Sequence, residues 1–360
     1  MRTSLRTPRR TPWAAAAALA ALGACALYVQ RQTLRAERAF PVKGRLVDVN
    51  GVRLHCVEHG PPDAAHTVVL LHGDGSMAEE IELSGLPALA ARHHRVIVID
   101  RPGYGLSSAT RPHFDVRQQA DLIAAALERL GVRRPIVVGH SFGTLVAIAL
   151  GLAHPHAVSS LVLASGYYFP TVRLDAAWLS VPALPIVGPL IAHTIGPLVA
   201  LATWRPMARR MFAPAAVSEA FKRYPAWMSA RPSQLQAAAA ESATLIPTVL
   251  AMRRRYTDLK VPVVLVAGAG DRYVNTRWHS GRLHRLLDFS WLRIVEGAGH
   301  MVHHVAPAQV MAAIDQAASM GASLPRVPLA GDRDGESAHV AERESQLASG
   351  EPTTADLGRS

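Results

Sequence analysis

The chain has 360 residues, 49% of them hydrophobic, which is ample material for the core of one large domain. Its formal net charge is +11, but apart from Arg209-Arg210 and Arg253-Arg254-Arg255 the arginines are dispersed, and no aromatic-basic platform accompanies them. That pattern excludes a nucleic-acid partner and fits a surface beside anionic lipid; with only Cys25 and Cys56 present, in unrelated segments, a disulfide framework is excluded too.

The N-terminus carries the first strong signal. Residues 1–12 form a basic segment with Arg2, Arg6, Arg9 and Arg10 and no acid. Residues 13–29, Trp13 to Val29, are uncharged. As a helix this run would be about 25 Å long, slightly short of a hydrocarbon core of about 30 Å. Positive charge ahead of it predicts a cytoplasmic N-terminus and an exported, extracytoplasmic (periplasmic) remainder. Three routes are compatible with export. The segment is a retained transmembrane anchor, a signal peptide cleaved near Ala24-Cys25-Ala26, or a lipoprotein-like box, Leu22-Gly23-Ala24-Cys25, lipidated at Cys25. Residues 30–41, with Arg31, Arg35, Glu37 and Arg38, read as a charged linker to a folded domain over 42–321.

Within that domain, apolar β-like runs alternate with glycine-rich loops. Val52 to Val57 is an early strand, and Thr67 to Leu71 is a buried one ending in His72-Gly73-Asp74-Gly75-Ser76. Arg95 to Ile99 leads into the turn-rich loop Asp100-Arg101-Pro102-Gly103-Tyr104-Gly105-Leu106-Ser107, which is expected to brace the neighbouring loops. Pro135 to Val138 runs into Gly139-His140-Ser141-Phe142-Gly143, after which Thr144 to Leu150 reads as a helix. Strand, G-x-S-x-G, helix is the setting of a nucleophile elbow, a turn so tight that its flanking residues must lack side chains. Ser159 to Ala164 is the next strand, and the stretch of about 166–260 that follows shows no strand alternation. Its prolines predict several short helices. Its aromatic and methionine residues, among them Tyr167, Tyr168, Phe169, Trp178, Trp204, Phe212, Trp227 and Met228, predict an apolar pocket lining.

Two further strands carry the remaining chemistry. Val261 to Ala267 ends in Gly268-Ala269-Gly270-Asp271-Arg272, and Trp291 to Val295 ends in Glu296-Gly297-Ala298-Gly299-His300. A serine hydroxyl needs a base, and the base needs a carboxylate to hold its ring. Ser141, Asp271 and His300 follow one another in chain order, each just past a strand's carboxyl end, where open α/β sheets place their chemistry. The backbone N–H groups of Asp74 and Phe142 are the matching candidates for an oxyanion hole. His303 and His304 offer no ligand spacing with nearby acids, so no metal is expected. Residues 322–360 lack apolar periodicity and read as a disordered tail.

Taken together, His72-Gly73, Asp100 to Ser107, Gly139 to Gly143, Gly270-Asp271 and Gly299-His300 resemble the α/β-hydrolase superfamily over roughly residues 42 to 320. The resemblance implies an α/β fold, a mostly parallel eight-stranded sheet flanked by helices, with a helical cap inserted after strand six. It implies Ser141 as nucleophile, His300 as general base and acid, and Asp271 as the carboxylate that orients it. Asp74 departs from the family pattern, which is commonly apolar or aromatic there; its carboxylate is expected to turn toward water or a hydrogen-bond donor. The expected activity is hydrolysis of carboxylic esters of small or medium apolar acyl compounds, with no cofactor and no metal. The expected partners are that substrate and, through the N-terminal segment, a membrane. Alternatives on the same scaffold are a C–C bond hydrolase, a cofactor-free oxidative enzyme, or a non-catalytic binding module. The oligomeric state is not legible.

Overall fold

Nothing between Trp13 and Ala39 interrupts a helix except Gly23, and Pro12 stands where a proline costs least, in the first turn. In the computed structural model, which describes residues 12–108, 114–172 and 179–323, this stretch is one unbroken helix, α1, Pro12–Ala39. The helix thus runs through most of the expected linker. Gln30 to Ala39 are mostly good helix formers with no breaker among them, so nothing stops propagation. The basic residues 1–11 and the tail beyond Ser323 lie outside the described residues, as does Trp178.

A hairpin opens the folded body: β1, Arg45–Val49, and β2, Val52–His59, joined by Asn50-Gly51 with both φ values positive, as a two-residue hairpin turn requires. There follow β3 (Thr67–Leu71), α2 (Ala78–Glu82), α3 (Leu86–Ala90) and β4 (Arg95–Ile99). Next come α4 (Val116–Arg129), capped reciprocally by Asp115 and Gln118, then β5 (Ile136–His140), α5 (Gly143–Ala153) and β6 (Ser160–Ala164). The insertion after β6 contains α6 (Val187–His193), α7 (Ile195–Phe212), α8 (Ala226–Ser229) and α9 (Pro232–Met252). The chain closes with β7 (Val263–Gly268), α10 (Ser280–Leu286), β8 (Ser290–Val295), α11 (Val302–Val305) and α12 (Pro307–Ser323).

The strands form one eight-stranded sheet in the order β1-β2-β4-β3-β5-β6-β7-β8. β2 is antiparallel to both neighbours and the strands from β4 to β8 in that order are parallel. This is the α/β-hydrolase fold. Because successive side chains point to opposite faces, β3 feeds both cores: Val69 and Leu71 pack with α4 and α5, Val68 and Leu70 with α3 and α12.

The insertion differs from expectation in two ways. Two of its helices are long, with Pro206 inside α7 and Pro247 inside α9. Both prolines are exposed, so the missing backbone hydrogen bond falls on the solvent side. The expected pocket lining is also largely structural. Tyr167, Tyr168 and Phe169 are buried in the main core at the root of the cap. Phe212 and Phe221 pack with Met301, and Met228 with Met77 and Tyr224. Trp204 stacks on Phe221 and Tyr224. A cap of this size must bury its own apolar surface against the sheet, and these side chains do so.

Candidate active site

The elbow is built by crowding. Ser141, between the end of β5 and the start of α5, has φ of 51°, a strained value for a residue with a side chain. A Cβ on Gly139 would lie 2.5 Å from the Gly143 carbonyl oxygen, and one on Gly143 would lie 2.5 Å from that of Leu71. Glycine is therefore required at both positions for close approach of backbone to backbone. The Ser141 amide donates to the Ala164 carbonyl at 2.9 Å, which pins the turn to β6.

The fold brings the three sequence-separated groups together. His300 Nε2 lies 3.0 Å from Ser141 Oγ, and His300 Nδ1 lies 2.9 Å from Asp271 Oδ2. The side chains of His300 and Asp271 are almost fully buried, while Ser141 keeps partial access to solvent. The other carboxylate oxygen of Asp271 accepts from the amides of Tyr273 and Val274, at 2.7 and 2.9 Å, so the group is anchored by its own loop. His140, beside Ser141, places Nε2 3.1 Å from the His300 carbonyl oxygen. Burial and the neighbouring His303 and His300 push His140 well below the usual histidine range, so it is neutral and holds the His300 backbone.

Among the described residues, neither the Asp74 amide nor the Phe142 amide donates a hydrogen bond. Both therefore stay available to an acceptor. The Asp74 carboxylate turns toward donors, as expected: Tyr104 reaches Oδ1 at 3.0 Å and Ser242 of α9 reaches Oδ2 at 2.9 Å. Burial of the carboxylate and then the nearby charge of Glu241 push Asp74 up to about 7, against the pull of Arg101 and of the two hydroxyls. As a whole residue Asp74 is exposed, and water there moderates the rise. Tyr104 also faces Glu241 at 2.8 Å. One phenolic proton thus serves two carboxylates, and protonating Asp74 relieves that shortage.

The loop after β4 braces this region through a residue that sequence reasoning had not singled out. Arg101 is fully buried and uses all five of its N–H donors. Nε donates to the His72 carbonyl and Nη2 to the Gly73 carbonyl, each at 2.9 Å. Nη1 donates to Gln119 at 2.9 Å, and the Glu241 carboxylate takes one proton from each Nη. Arg101 therefore ties the loop after β3 to cap helix α9. His72, pushed down to about 4 by burial and by the Arg101 charge, is neutral and accepts from the Arg101 amide at 3.0 Å. Asp100 anchors the same loop, with oxygens 2.8 Å from His55 Nδ1, 2.6 Å from the Ala78 amide and 3.0 Å from the Leu106 amide. A sequence signal for Glu241 did exist: it is the single charged residue in the 21 residues of α9.

A second buried cluster lies behind the elbow. Glu80 Oε1 is 2.6 Å from His303 Nε2 and 2.7 Å from His304 Nε2, an arrangement bridging 223 residues of chain that local spacing could not reveal. The trio has donor types that a divalent metal could use. Only the two Nε2 atoms face Glu80; Nδ1 of each ring is buried without a hydrogen-bond partner, and His303 lies ring-to-ring against His140 at 4.2 Å. Partnered by both histidines, Glu80 is held well below the usual carboxylate range despite its burial.

A family profile described as "Alpha/beta hydrolase family" matches residues 68–314. The chain is 29% identical over 267 residues to the Magnesium-chelatase 30 kDa subunit of Rhodobacter capsulatus, covering 69% of this chain and 85% of that protein. It is 38% identical over 146 residues to Epoxide hydrolase A of Mycobacterium tuberculosis, covering 39% of each. An alpha/beta hydrolase fold protein from Burkholderia ambifaria superposes with a TM-score of 0.62 at 21% identity, over 76% of this chain and 97% of that one. That likeness is one of fold.

Proposed function

The chain belongs to the alpha/beta hydrolase family, and from that premise we propose that it is a serine hydrolase of carboxylic esters with small or medium apolar acyl groups. The observation that carries the reading is the continuous line Ser141 Oγ, His300 Nε2, His300 Nδ1, Asp271 Oδ2, with gaps of 3.0 and 2.9 Å. In this reading His300 takes the Ser141 proton as Oγ attacks the acyl carbon. The negative charge that develops on the carbonyl oxygen is met by the amides of Asp74 and Phe142. His300 then delivers the proton to the departing alkoxide, leaving an acyl-enzyme. A water deprotonated by His300 attacks that ester, and Ser141 recovers its proton as the acid leaves. No cofactor is needed. Helix α1 serves as a membrane anchor, with the catalytic body on the extracytoplasmic side in keeping with the basic residues that precede it.

The test is labelling of the full chain with a fluorophosphonate, together with aryl esters of increasing acyl length. An adduct on Ser141 is expected, and Ser141→Ala should lower turnover by about 10³-fold or more while melting as the wild type does. Wild-type rates in that variant would refute the mechanism. A folded protein that forms no adduct would instead be a binding module.

A further inference from the structure

The apolar surface of the cap is larger than the chemistry at Ser141 requires. From Leu179 to Trp204 the chain holds 26 residues without a single Asp, Glu, Lys or Arg. Much of this stretch is turned outward: Ile186 is 89% exposed, Val199 56%, Leu190 53% and Val187 49%. The opposite side of the same helices is packed, with Gly188, Ala192, Ala208 and Phe212 buried. A contiguous apolar face of this kind marks a surface that something covers.

Three observations identify what covers it. Helix α1 is long and apolar enough to cross a membrane, and its first residues, Trp13 to Ala21, are all exposed. Its later half packs on the cap: it lies against α8 and touches α6. Tyr28 meets Trp227 edge-on at 6.3 Å, Glu37 pairs with Arg231 at 3.1 Å, and Phe40 packs against the Met77, Tyr224 and Met228 cluster. The apolar cap face is therefore continuous with the candidate anchor. Second, α6 and α7 meet at a bend of 62°, so the pair is not one straight span; a bent apolar pair with a packed inner side suits the plane of the interface. Third, the exposed charged residues of α7, which follow the apolar run, are all basic: Arg205, Arg209 and Arg210; beyond the helix Arg223 is exposed as well, while Lys222 is paired with Glu219 at 2.5 Å. This places positive charge where anionic head groups would lie.

We infer that the outer face of α6 and α7 rests in the same bilayer surface as α1, and that Ser141 draws its ester from that bilayer rather than from water. The inference rests on the hydrolase reading for the identity of the substrate bond. The route is short. Helix α7 begins at the apolar face and ends on the catalytic loop, where the Met211 carbonyl accepts from the Met301 amide at 3.3 Å. A Cβ on Gly299, next to His300, would lie 2.1 Å from the Ala213 carbonyl oxygen, so that close contact depends on glycine.

The experiment uses the full chain in vesicles of phosphatidylethanolamine and phosphatidylglycerol. An environment-sensitive fluorophore is attached to Leu190→Cys in a Cys25→Ser background, Cys56 being fully buried. A control label is placed on Arg129→Cys, at the far end of α4. The Leu190 label should shift to the blue and be quenched by nitroxide lipids, while the control label is not. Emission equal to that in water overturns the inference. So does a shift that depends on protein concentration and resists lipid quenchers, which would mean a second copy covers the face. A kinetic arm uses Leu190→Asp with Val199→Asp. KM for an ester dissolved in the vesicles should rise by about tenfold or more, with a water-soluble aryl ester changed by less than about twofold. Unchanged vesicle kinetics overturns the substrate claim, whatever the label reports. If the wild type cleaves no ester while the label is quenched, the membrane face stands, and the hydrolase reading and the substrate claim with it fall.

Discussion

Two buried polar assemblies meet near Ser141, and they are built on opposite plans. In the Ser141–His300–Asp271 line each facing atom has one partner, and the serine end is open to solvent. A proton can pass between Ser141 and His300 while Asp271 holds the ring, because a donor and an acceptor face each other at each gap. Around Arg101 every donor is taken, and the partners come from the loop after β3, from α4 and from the cap. Such a saturated network moves no proton; it fixes the His72 and Gly73 carbonyls, and so the loop that carries the Asp74 amide. The contrast separates two kinds of buried charge: one leaves capacity free for chemistry, the other spends all of it on position.

That division can be broken most sharply at Asp271. Asp271→Asn keeps an oxygen for the Tyr273 and Val274 amides but presents an NH₂ group to His300 Nδ1. The ring is then held in the wrong tautomer, and kcat should fall by about 10³- to 10⁴-fold with the melting temperature little changed. Steady-state kinetics beside a thermal melt reads both quantities. Retention of more than about a tenth of kcat would mean that another group orients His300.

The Arg101 network predicts the reverse pattern. Glu241→Ala strands a guanidinium that is 0% exposed, with two donors unpaired and its counter-charge gone. Breaking one partner of a fully buried pair costs about 3–5 kcal/mol. Denaturant unfolding of the full chain should show a loss of that order, while Glu241→Gln, which keeps the acceptor oxygen, should lose less. A variant as stable as the wild type would mean that the cap is held by its apolar contacts alone.

These two assemblies were unequally legible before the structure. The elbow, Asp271 and His300 are each announced locally, by a buried apolar run followed within a few residues by a glycine turn. The ends of β3 and β4 match the runs read from the chain for the same reason. β1 escaped notice because Arg45 to Val49 interleaves charged residues with a half-exposed face. Arg101 and Glu241 are 140 residues apart, and Glu80 lies 223 from His303; no local period encodes such pairings. The aromatic residues of the cap misled for a different reason. Composition tells that they are buried, but not whether they face a substrate or the sheet.

Asp74 stands between the two assemblies, and it supplies the smallest and most specific effect. Its folded-state pKa is raised from 3.8 to about 7, so between those values the native protein binds more protons at this site than the unfolded chain does. By linkage its contribution to stability falls as pH rises through that window, and the loss is complete above it. Asp74→Asn removes the titration. The variant's stability relative to the wild type should therefore improve steadily from acid pH toward about 7. If the Asp74 amide meets the oxyanion as proposed, activity should move the same way, because an ionised carboxylate on that residue opposes the charge that develops there. The kcat ratio of variant to wild type should rise by about two- to threefold across pH 7, kept small by water around the exposed Asp74. Parallel pH profiles would mean that Tyr104 and Ser242 keep the Asp74 carboxylate ionised throughout, and that Tyr104 gives its proton to Asp74 rather than to Glu241.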